Sequence, residues 1–550
     1  MYSIPSLKRL CLLSFSIVIC LGLGLGSIIS LTACGTSAPR DPHTFYGLLT
    51  GEPNYLNYVP YSSAYEAQAI GPIYCPLFEM DLNDNNRLIP ALGTNIITHP
   101  DRLSFTVNMR KDAVWEDGKP VTARDIEFTW RMIIDPASGA QNKISDLGEI
   151  ESITVHDDWN FTARWKKANV NALQTIASFT PIPEHIWRGR SMLDPELNRK
   201  PVGNGPWRFE SWKTGSQITY VANPHWWGEQ KPFFTRIVFR IIPEEGSALA
   251  ALKKGTLDLF DGLRAITWLD FIETDKDNRF GKLRHLSTSY GLIAWQAKGN
   301  PFFSDARVRR AMTLCLDRES ILKNIYRGVG AIQSGPFYMG SWAEDAAISP
   351  LPYNPGQAAE LLDEAGWARN TKSGFREKDG EIFRFEFLVP QGSENGRAVA
   401  VILQGELRKL GIDMQIRGLE WSVFNKRLTD RDFTAAMFSW NNSVDCDVYD
   451  LWHSSMQTDG LNHIGYANAE VDSLLEEART TFDMPGRVRI AHRIHRIISD
   501  DQPYTFLIAN EHLSLYNLRM EGMQSSVRGV YSSWPGLIGW SAAATAVKPD

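Results

Sequence analysis

Apolar and polar positions in this chain switch period repeatedly, from two to 3.6 and back, after a first stretch with no polar rhythm. In "LSFTVNMR", Leu103, Phe105, Val107 and Met109 alternate with polar residues, the period of a half-buried strand. Asp117-Gly118 then supplies a tight-turn pair. Thr122 follows as a helix cap, with Asp125 as its capping-box partner, and Ile126, Trp130 and Ile133 share one helix face. "RIVFRII" over 236–242 reads as a strand closed by Pro243. "SDARVRRAMTLCLDRESILKNIY" reads as a helix with cap candidates Ser304 and Asp305, and with Val308, Ala311, Cys315, Leu322 and Ile325 near one face. In "YNPGQAAELLDEAGW", Asn354 caps, Pro355 takes the first helical position and Gly366 falls just past the end. "AVAVILQGELRKLG" predicts a helix stopped by Gly411, and Ile412, Met414 and Ile416 alternate as the next strand. Two amphipathic helices, "AEVDSLLEEARTTF" and "GRVRIAHRIHRIISDD", precede the strand-like "PYTFLI". Short strands alternating with helices predict an α/β chain.

The first stretch differs in kind. Lys8 and Arg9 are followed by an uncharged run from Leu10 to Ala33, which ends Leu31-Thr32-Ala33-Cys34. Its length would span a bilayer. A basic start, an apolar middle and small residues before a cut make a secretory leader instead. A spanning helix has no need of a cysteine at its end. The run resembles a bacterial lipobox, whose cysteine thiol takes the lipid before the leader is removed. Residues 1–33 are therefore expected to be a lipoprotein signal peptide, with Cys34 the lipidated N-terminus of the mature chain. "GTSAPRDPHTF" after it reads as a tether. Several acyl chains together anchor stably, where one alone is marginal.

The formal net charge is −6, and losing the leader removes only Lys8 and Arg9. Without a basic excess or a basic run, a nucleic-acid partner is not expected. Cys75, Cys315 and Cys446 remain after Cys34, too far apart for a disulfide framework or a zinc site, and Cys315 falls on an apolar helix face. No H-E-x-x-H, G-x-S-x-G, phosphate-loop or G-x-G-x-x-G pattern occurs. His492 and His495 share a helix face, but Arg489, Arg493 and Arg496 around them favour a solvated basic face over a metal site. Glu184-His185 and Glu511-His512 lack a partner pattern. No enzyme and no cofactor are expected. The 18 Trp exceed what a core of this size requires, and a minority suits the wall of a binding cleft.

The matched blocks run over nearly the whole mature chain. "GEPNYLNYVPYSSAYEAQAIGPIYCPLFEMD" has Tyr58 where proline is common. Trp115, Asp117, Gly118, Pro120, Thr122, Ala123 and Asp125 carry W-x-D-G-x-P-x-T-A-x-D. "VGNGPWRFESW", "VANPHWW", Gly255 and Asp258 of "LKKGTLDL", and "FSDARVRRAMTLCLDRESI" follow in order. With these the chain resembles the family-five extracellular solute-binding proteins, the oligopeptide- and dipeptide-binding subunits of bacterial ABC importers. "DVYDLWHSSMQTDGLNHIGYANAEVD" and "DDQPYTFL" look closest to the peptide binders among them.

The resemblance implies a two-lobed periplasmic-binding-protein fold with an additional inserted domain. It places the tether and start of lobe one at 34–80, the extra domain at 81–189, more of lobe one at 190–295, lobe two at 296–514 and the return to lobe one at 515–550. It implies a monomeric receptor at the cell envelope, on the periplasmic or extracellular face, that hands ligand to a permease with its ATPase. Relatives hold a peptide's α-ammonium with an Asp shortly after a Trp. In "FSWNNSVDCDVYDLW" the Trp is Trp440, Asn442 follows, and the acid is Asp445 or Asp447, with Asp445 preferred because Asp447-Val448 takes the place of an acidic-Pro pair. Other cargo of this receptor class is a metal chelate, haem, an oligosaccharide or an opine. A secreted hydrolase is the reading from a different class.

Overall fold

The structure is a computed structural model that describes residues 41–543 except 141–142, 145–146, 276–277 and 459. The leader, Cys34 and the start of the tether lie outside the described residues. Among the described residues, strands gather into three larger sheets. One orders Thr44–Leu49, Arg236–Ile241, Gln217–Ala222 and Trp207–Lys213, with the first pair parallel. A second is antiparallel throughout: Gly93–Thr98, Ser104–Met109, Asn160–Trp165 and Ile150–Asp157. The third runs Leu259–Asp261, Tyr504–Asn517, Phe280–Trp295, Ala435–Asn441, Arg384–Pro390 and Asp413–Leu419, with Ala331–Ile332 beside Tyr504–Asn517. The fold is α/β, as the pattern predicts, with two lobes and an additional domain, as the resemblance implies.

The cores show how the lobes are built. Phe45, Ile237 and Phe239 of the first sheet share one core with Phe105, Phe161 and Trp165 of the second. In the third sheet, Ile293 and Trp295 enter one core while Tyr290, Leu292 and Ala294 enter another, so the period of two buries both faces. The opposite ends of the two long strands reach a further core: Phe280, Leu513 and Leu515 pack with Leu252, Phe260 and Phe271. The antiparallel pair Phe280–Trp295 and Tyr504–Asn517 thus carries both lobes. Its register shifts between Leu286 and Tyr290, leaving Ser287–Ser289 out of the ladder.

Local signals formed as read. Asp125 accepts the Thr122 N–H at 2.8 Å and opens the helix Ala123–Ile134. Asn354 accepts the Gln357 N–H at 3.0 Å, Pro355 begins the helix Pro355–Glu364, and Gly366 has φ +86°. Cys315 is fully buried. Three readings are corrected. The helix expected from Ser304 onward is two helices, Ala306–Leu314 and Arg318–Asn324, because Asp317 caps the Ser320 N–H at 2.9 Å and restarts the chain. The strand read as "PYTFLI" extends to Asn517. His495 leaves the solvated face: it is fully buried, while Arg489, Arg493 and Arg496 stay exposed.

Two contacts hold the first lobe across long sequence distances. Gly203 lies so close to the Ile73 carbonyl that a Cβ there would sit 2.0 Å from its oxygen. The Asn204 and Gly205 N–H groups donate to that same oxygen, at 3.0 and 2.9 Å. Asp258 and Arg519 form a buried bidentate pair, with Nε–Oδ1 2.7 Å and Nη2–Oδ2 2.6 Å. Arg519 Nη2 also donates to the Thr44 carbonyl at 2.7 Å, and the Tyr46 N–H donates to Asp258 Oδ2 at 2.8 Å. A buried pair of this kind is valuable because breaking it strands a charge. Arg519→Met is expected to lower unfolding stability by about 3–5 kcal/mol, read as a lower urea midpoint.

Candidate functional site

A cavity of about 1420 Å³ opens where the long strands pass from the first lobe toward the second. One wall is the helix Ala64–Ile70, begun by a reciprocal capping box: the Glu66 N–H donates to Ser63 Oγ and the Ser63 N–H to the Glu66 carboxylate. It turns Tyr65 and Gln68 to the cavity. The hairpin Phe78–Asp81 with Arg87–Pro90 contributes Glu79, Met80 and Ile89. The floor is Ser287–Ser289, the segment left out of the ladder, with Asn441 and His512. Trp207, Trp226, Trp227 and Trp534 supply aromatic wall. Trp226 and Trp227 pack with ring centroids 4.4 Å apart, and their indole N–H groups donate to the Gln230 and Asn204 carbonyls.

Charge in the cavity is sparse. Arg110 is held by Asp112 at 2.7 and 2.8 Å and lies 4.3 Å over the Trp227 ring. Asp261 accepts from Ser514 Oγ at 2.5 Å and from the Val530 N–H at 3.3 Å. Burial lowers the His512 imidazole below its ordinary range, against the pull of Asp261. Its cross-strand partner is His285. Glu511 beside it pairs with Arg284, and Glu184-His185 also finds a partner, Asp117, 2.7 Å from His185. Burial pushes the Glu79 carboxyl up to about 7. Thr288 donates to Asn441 Oδ1 at 2.6 Å, tying the floor to the second lobe.

None of the four ligand candidates read from sequence lines this cavity; Asn441, between Trp440 and Asn442, does, and Asp447 lines a separate small pocket with Asn171 and Arg479. Trp440 donates to Tyr504 Oη at 3.3 Å and stacks on His463. Asn442 is buried and donates to the Pro336 carbonyl at 2.7 Å. Burial raises the Asp445 carboxyl, the Asp447 N–H donates to it at 3.1 Å, and Arg487 faces it. Asp447 pairs with Arg479 at 2.7 Å and accepts from Asn171 Nδ2 at 2.9 Å. Arg479 in turn lies 3.8 Å over the Tyr449 ring. The wall residues Glu79, Ser287–Ser289 and His512 were not read from sequence. The signal for Glu79 is an acid set between Phe78 and Met80 directly after the apolar Leu77.

Ser334 and His495 meet at 3.1 Å, a pairing that hydrolases use. Here His495 Nδ1 accepts the Asp345 N–H at 3.0 Å, so the ring proton sits on Nε2 and points at the serine. That nitrogen has no lone pair with which to deprotonate Ser334.

The sequence profile of the bacterial extracellular solute-binding proteins, family 5 (Middle), matches residues 87–461. The oligopeptide-binding protein AppA of Bacillus subtilis (strain 168) is 29% identical over 528 residues, 92% of this chain and 95% of that one. Its structure in complex with a nonapeptide superposes with a TM-score of 0.73 at 28% identity, covering 92% of this chain and 100% of that one. NikZ from Campylobacter jejuni in complex with Ni(L-His) gives a TM-score of 0.74 at 25% identity, covering 91% and 100%.

The Asp447–Arg479 contact, half-open to solvent, ties Asn171 to the helix Ala469–Thr480. Arg479→Ala is expected to lower stability by about 1–2 kcal/mol through the lost charged hydrogen bond and ring contact, measured by chemical denaturation.

Proposed function

This chain belongs to family 5 of the bacterial extracellular solute-binding proteins, and from that premise we propose that it is the peptide-capturing receptor of an ABC importer. The observation that carries this reading is the cavity itself. At about 1420 Å³ it exceeds the usual span of small-molecule pockets, about 300–1000 Å³. Aromatic faces accept varied side chains, while carbonyls and hydroxyls at the break in the ladder can meet a main chain. Together these suit a peptide held through its backbone with little regard to sequence. The likeness to a relative solved with a nonapeptide points the same way.

Ligand bound between the lobes draws them together, and closure is favoured only as far as the closed form binds more tightly. Trp440, Asn442, Asp445 and Asp447 then form the second lobe's share of the site, since their segment leaves the cavity wall at Asn441. The extra domain is assigned to 81–189, which contains the antiparallel sheet of residues 93–165, with lobe two at 296–514. The closed, monomeric receptor passes its ligand to a permease driven by an ATPase. Cys34 carries the lipid that keeps the receptor on the outer face of a membrane, where tethering raises its effective concentration beside the permease.

Two measurements test this. Pooled di- to octapeptides at about a hundredfold over their dissociation constant are expected to stabilise the chain from Gly35 onward by about 2.7 kcal/mol, visible in a thermal melt. If the pool leaves the melt unchanged, peptide cargo is rejected, and sugars and metal chelates are tried next. Cys34→Ser is expected to abolish fatty-acid labelling and to leave the leader uncut, read as a larger precursor on a gel. Unchanged labelling would reject the lipid site.

A further inference from the structure

Two acids on the cavity wall have no partner among the described residues: Glu229, open to water, and Glu79, half-buried in the hairpin. Glu79 stands opposite Ile89 in the hairpin, and no hydrogen bond or ion pair reaches its carboxylate among the described residues. The other titratable groups at this corner do not supply one. Cys75 faces it with a thiol that burial keeps neutral, and that thiol is raised further by Glu79 itself. Arg110, across the corner after the strand Ser104–Met109, is chelated by Asp112, and Glu229 on the loop beyond is another acid. Glu229 is exposed and hydrated, and the two other acids near the cleft are provided for. Asp261 accepts a hydroxyl and a main-chain N–H, and Asp445 has a main-chain N–H and the Arg487 guanidinium nearby.

A half-buried carboxylate with no partner either takes up a proton or meets a cation from outside. We infer that Glu79 is the cation-reading carboxylate of this cleft, receiving from the first lobe a positively charged group of the ligand, a peptide α-ammonium or a basic side chain. The inference rests on the reading of this cavity as the ligand site. An entering ammonium sheds water against a carboxylate that the cavity wall already shields in part, so the pair forms at reduced extra desolvation, and charge-assisted hydrogen bonds are the strong ones.

The pairing fixes a pH dependence. The cation needs Glu79 ionised, and in the empty cleft that carboxyl titrates at about 7. Affinity for a basic side chain is therefore full above pH 7, whereas for an α-ammonium, which itself deprotonates at about 7.7–8.0, it peaks between the two values; both fall as pH drops through 7, by about tenfold per unit, until the lower bound-state value is reached. Cys75 stays neutral and Arg110 stays charged through this range, since their shifts carry them upward, away from 7. His512, elsewhere on the wall, has its titration moved down.

The test is calorimetry on wild type, Glu79→Gln and Asp445→Asn at pH 8 and pH 6. The probes are tetra-alanine, N-acetyl-tetra-alanine, an N-acetylated peptide containing lysine, and 1,4-diaminobutane. Glu79→Gln removes an acid without partners, so its unliganded melt is expected to match or exceed wild type, which separates binding from folding. The inference expects the cationic probes to bind wild type at least about tenfold more tightly than N-acetyl-tetra-alanine. It expects Glu79→Gln to lose that factor and to respond equally at the two pH values. Loss confined to the lysine peptide would assign the basic side chain as the group read, and loss confined to tetra-alanine the α-ammonium. Glu79→Gln binding like wild type overturns the inference, as does a loss confined to Asp445→Asn. Equal binding of the free and acetylated peptides removes Glu79 and leaves the peptide receptor standing. Binding of the diamine alone, lost in Glu79→Gln, keeps Glu79 and removes peptide cargo. If no probe binds, both fall.

Discussion

The ladder between Phe280–Trp295 and Tyr504–Asn517 is the constraint on which the rest of the molecule hangs. Residues at one end of each strand lie in a first-lobe core and residues at the other end in second-lobe cores. A pair of strands carrying two cores cannot pair regularly along its whole length and also let those cores move. The break at Ser287–Ser289 resolves this. Buried main-chain groups there still need partners. The Thr288 N–H donates to the Val527 carbonyl, and the Thr288 carbonyl accepts from the Asn442 N–H. Those partners come from segments outside the ladder, and Val527 and Asn441 lie on the cavity wall. The cavity and the break in the ladder are thus the same place, as expected where a bulge re-aims a strand. A ligand seated on this floor touches the residues whose geometry sets the angle between the lobes.

The far end of the ladder needs the opposite property. Asn517 donates its N–H to the Asp258 carbonyl, and Arg519 two residues on grips the Asp258 carboxylate and the Thr44 carbonyl. The first strand, the turn before Leu259–Asp261 and the returning chain are therefore pinned at one buried charge pair. Both carboxylate oxygens are engaged, the condition under which such a pair tolerates burial.

What sequence made legible follows from the range of each interaction. The capping pair Thr122 and Asp125, and the Asn354-Pro355 start with its Gly366 stop, involve partners within a turn of helix or one helix length, so local pattern contained them. The two-lobed fold was legible through matched blocks, whose bland residues proved structural: Trp115 is fully buried and Asp117 holds His185. The helix break at Asp317 was hidden because both halves keep apolar residues at compatible spacing. The strand beyond Ile508 was hidden because Glu511 and His512 interrupt the alternation, and their partners, Arg284 and the cavity, lie far off in sequence. Asp258 stood in a matched block, yet its partner is 261 residues away. His495 was misread for the same reason, since Ser334 and Asp345 reach it from another part of the chain.

The charges left over in the cavity decide what it prefers. Arg110 is neutralised by Asp112 and Asp261 is hydrogen-bonded, so the groups that remain are Glu79, half-buried in its corner, and Glu229 and Arg528 on exposed stretches. These are not equivalent. Water screens an exposed guanidinium, and an ion pair formed there contributes about 0–1 kcal/mol. A half-buried carboxylate is screened less, so the same charge pairing discriminates more strongly. A zwitterionic ligand would be held firmly by its positive end and loosely by its negative one. With one end fixed and the other read through solvent, the cleft can hold ligands of different length in one register, the behaviour a receptor for mixed peptides requires.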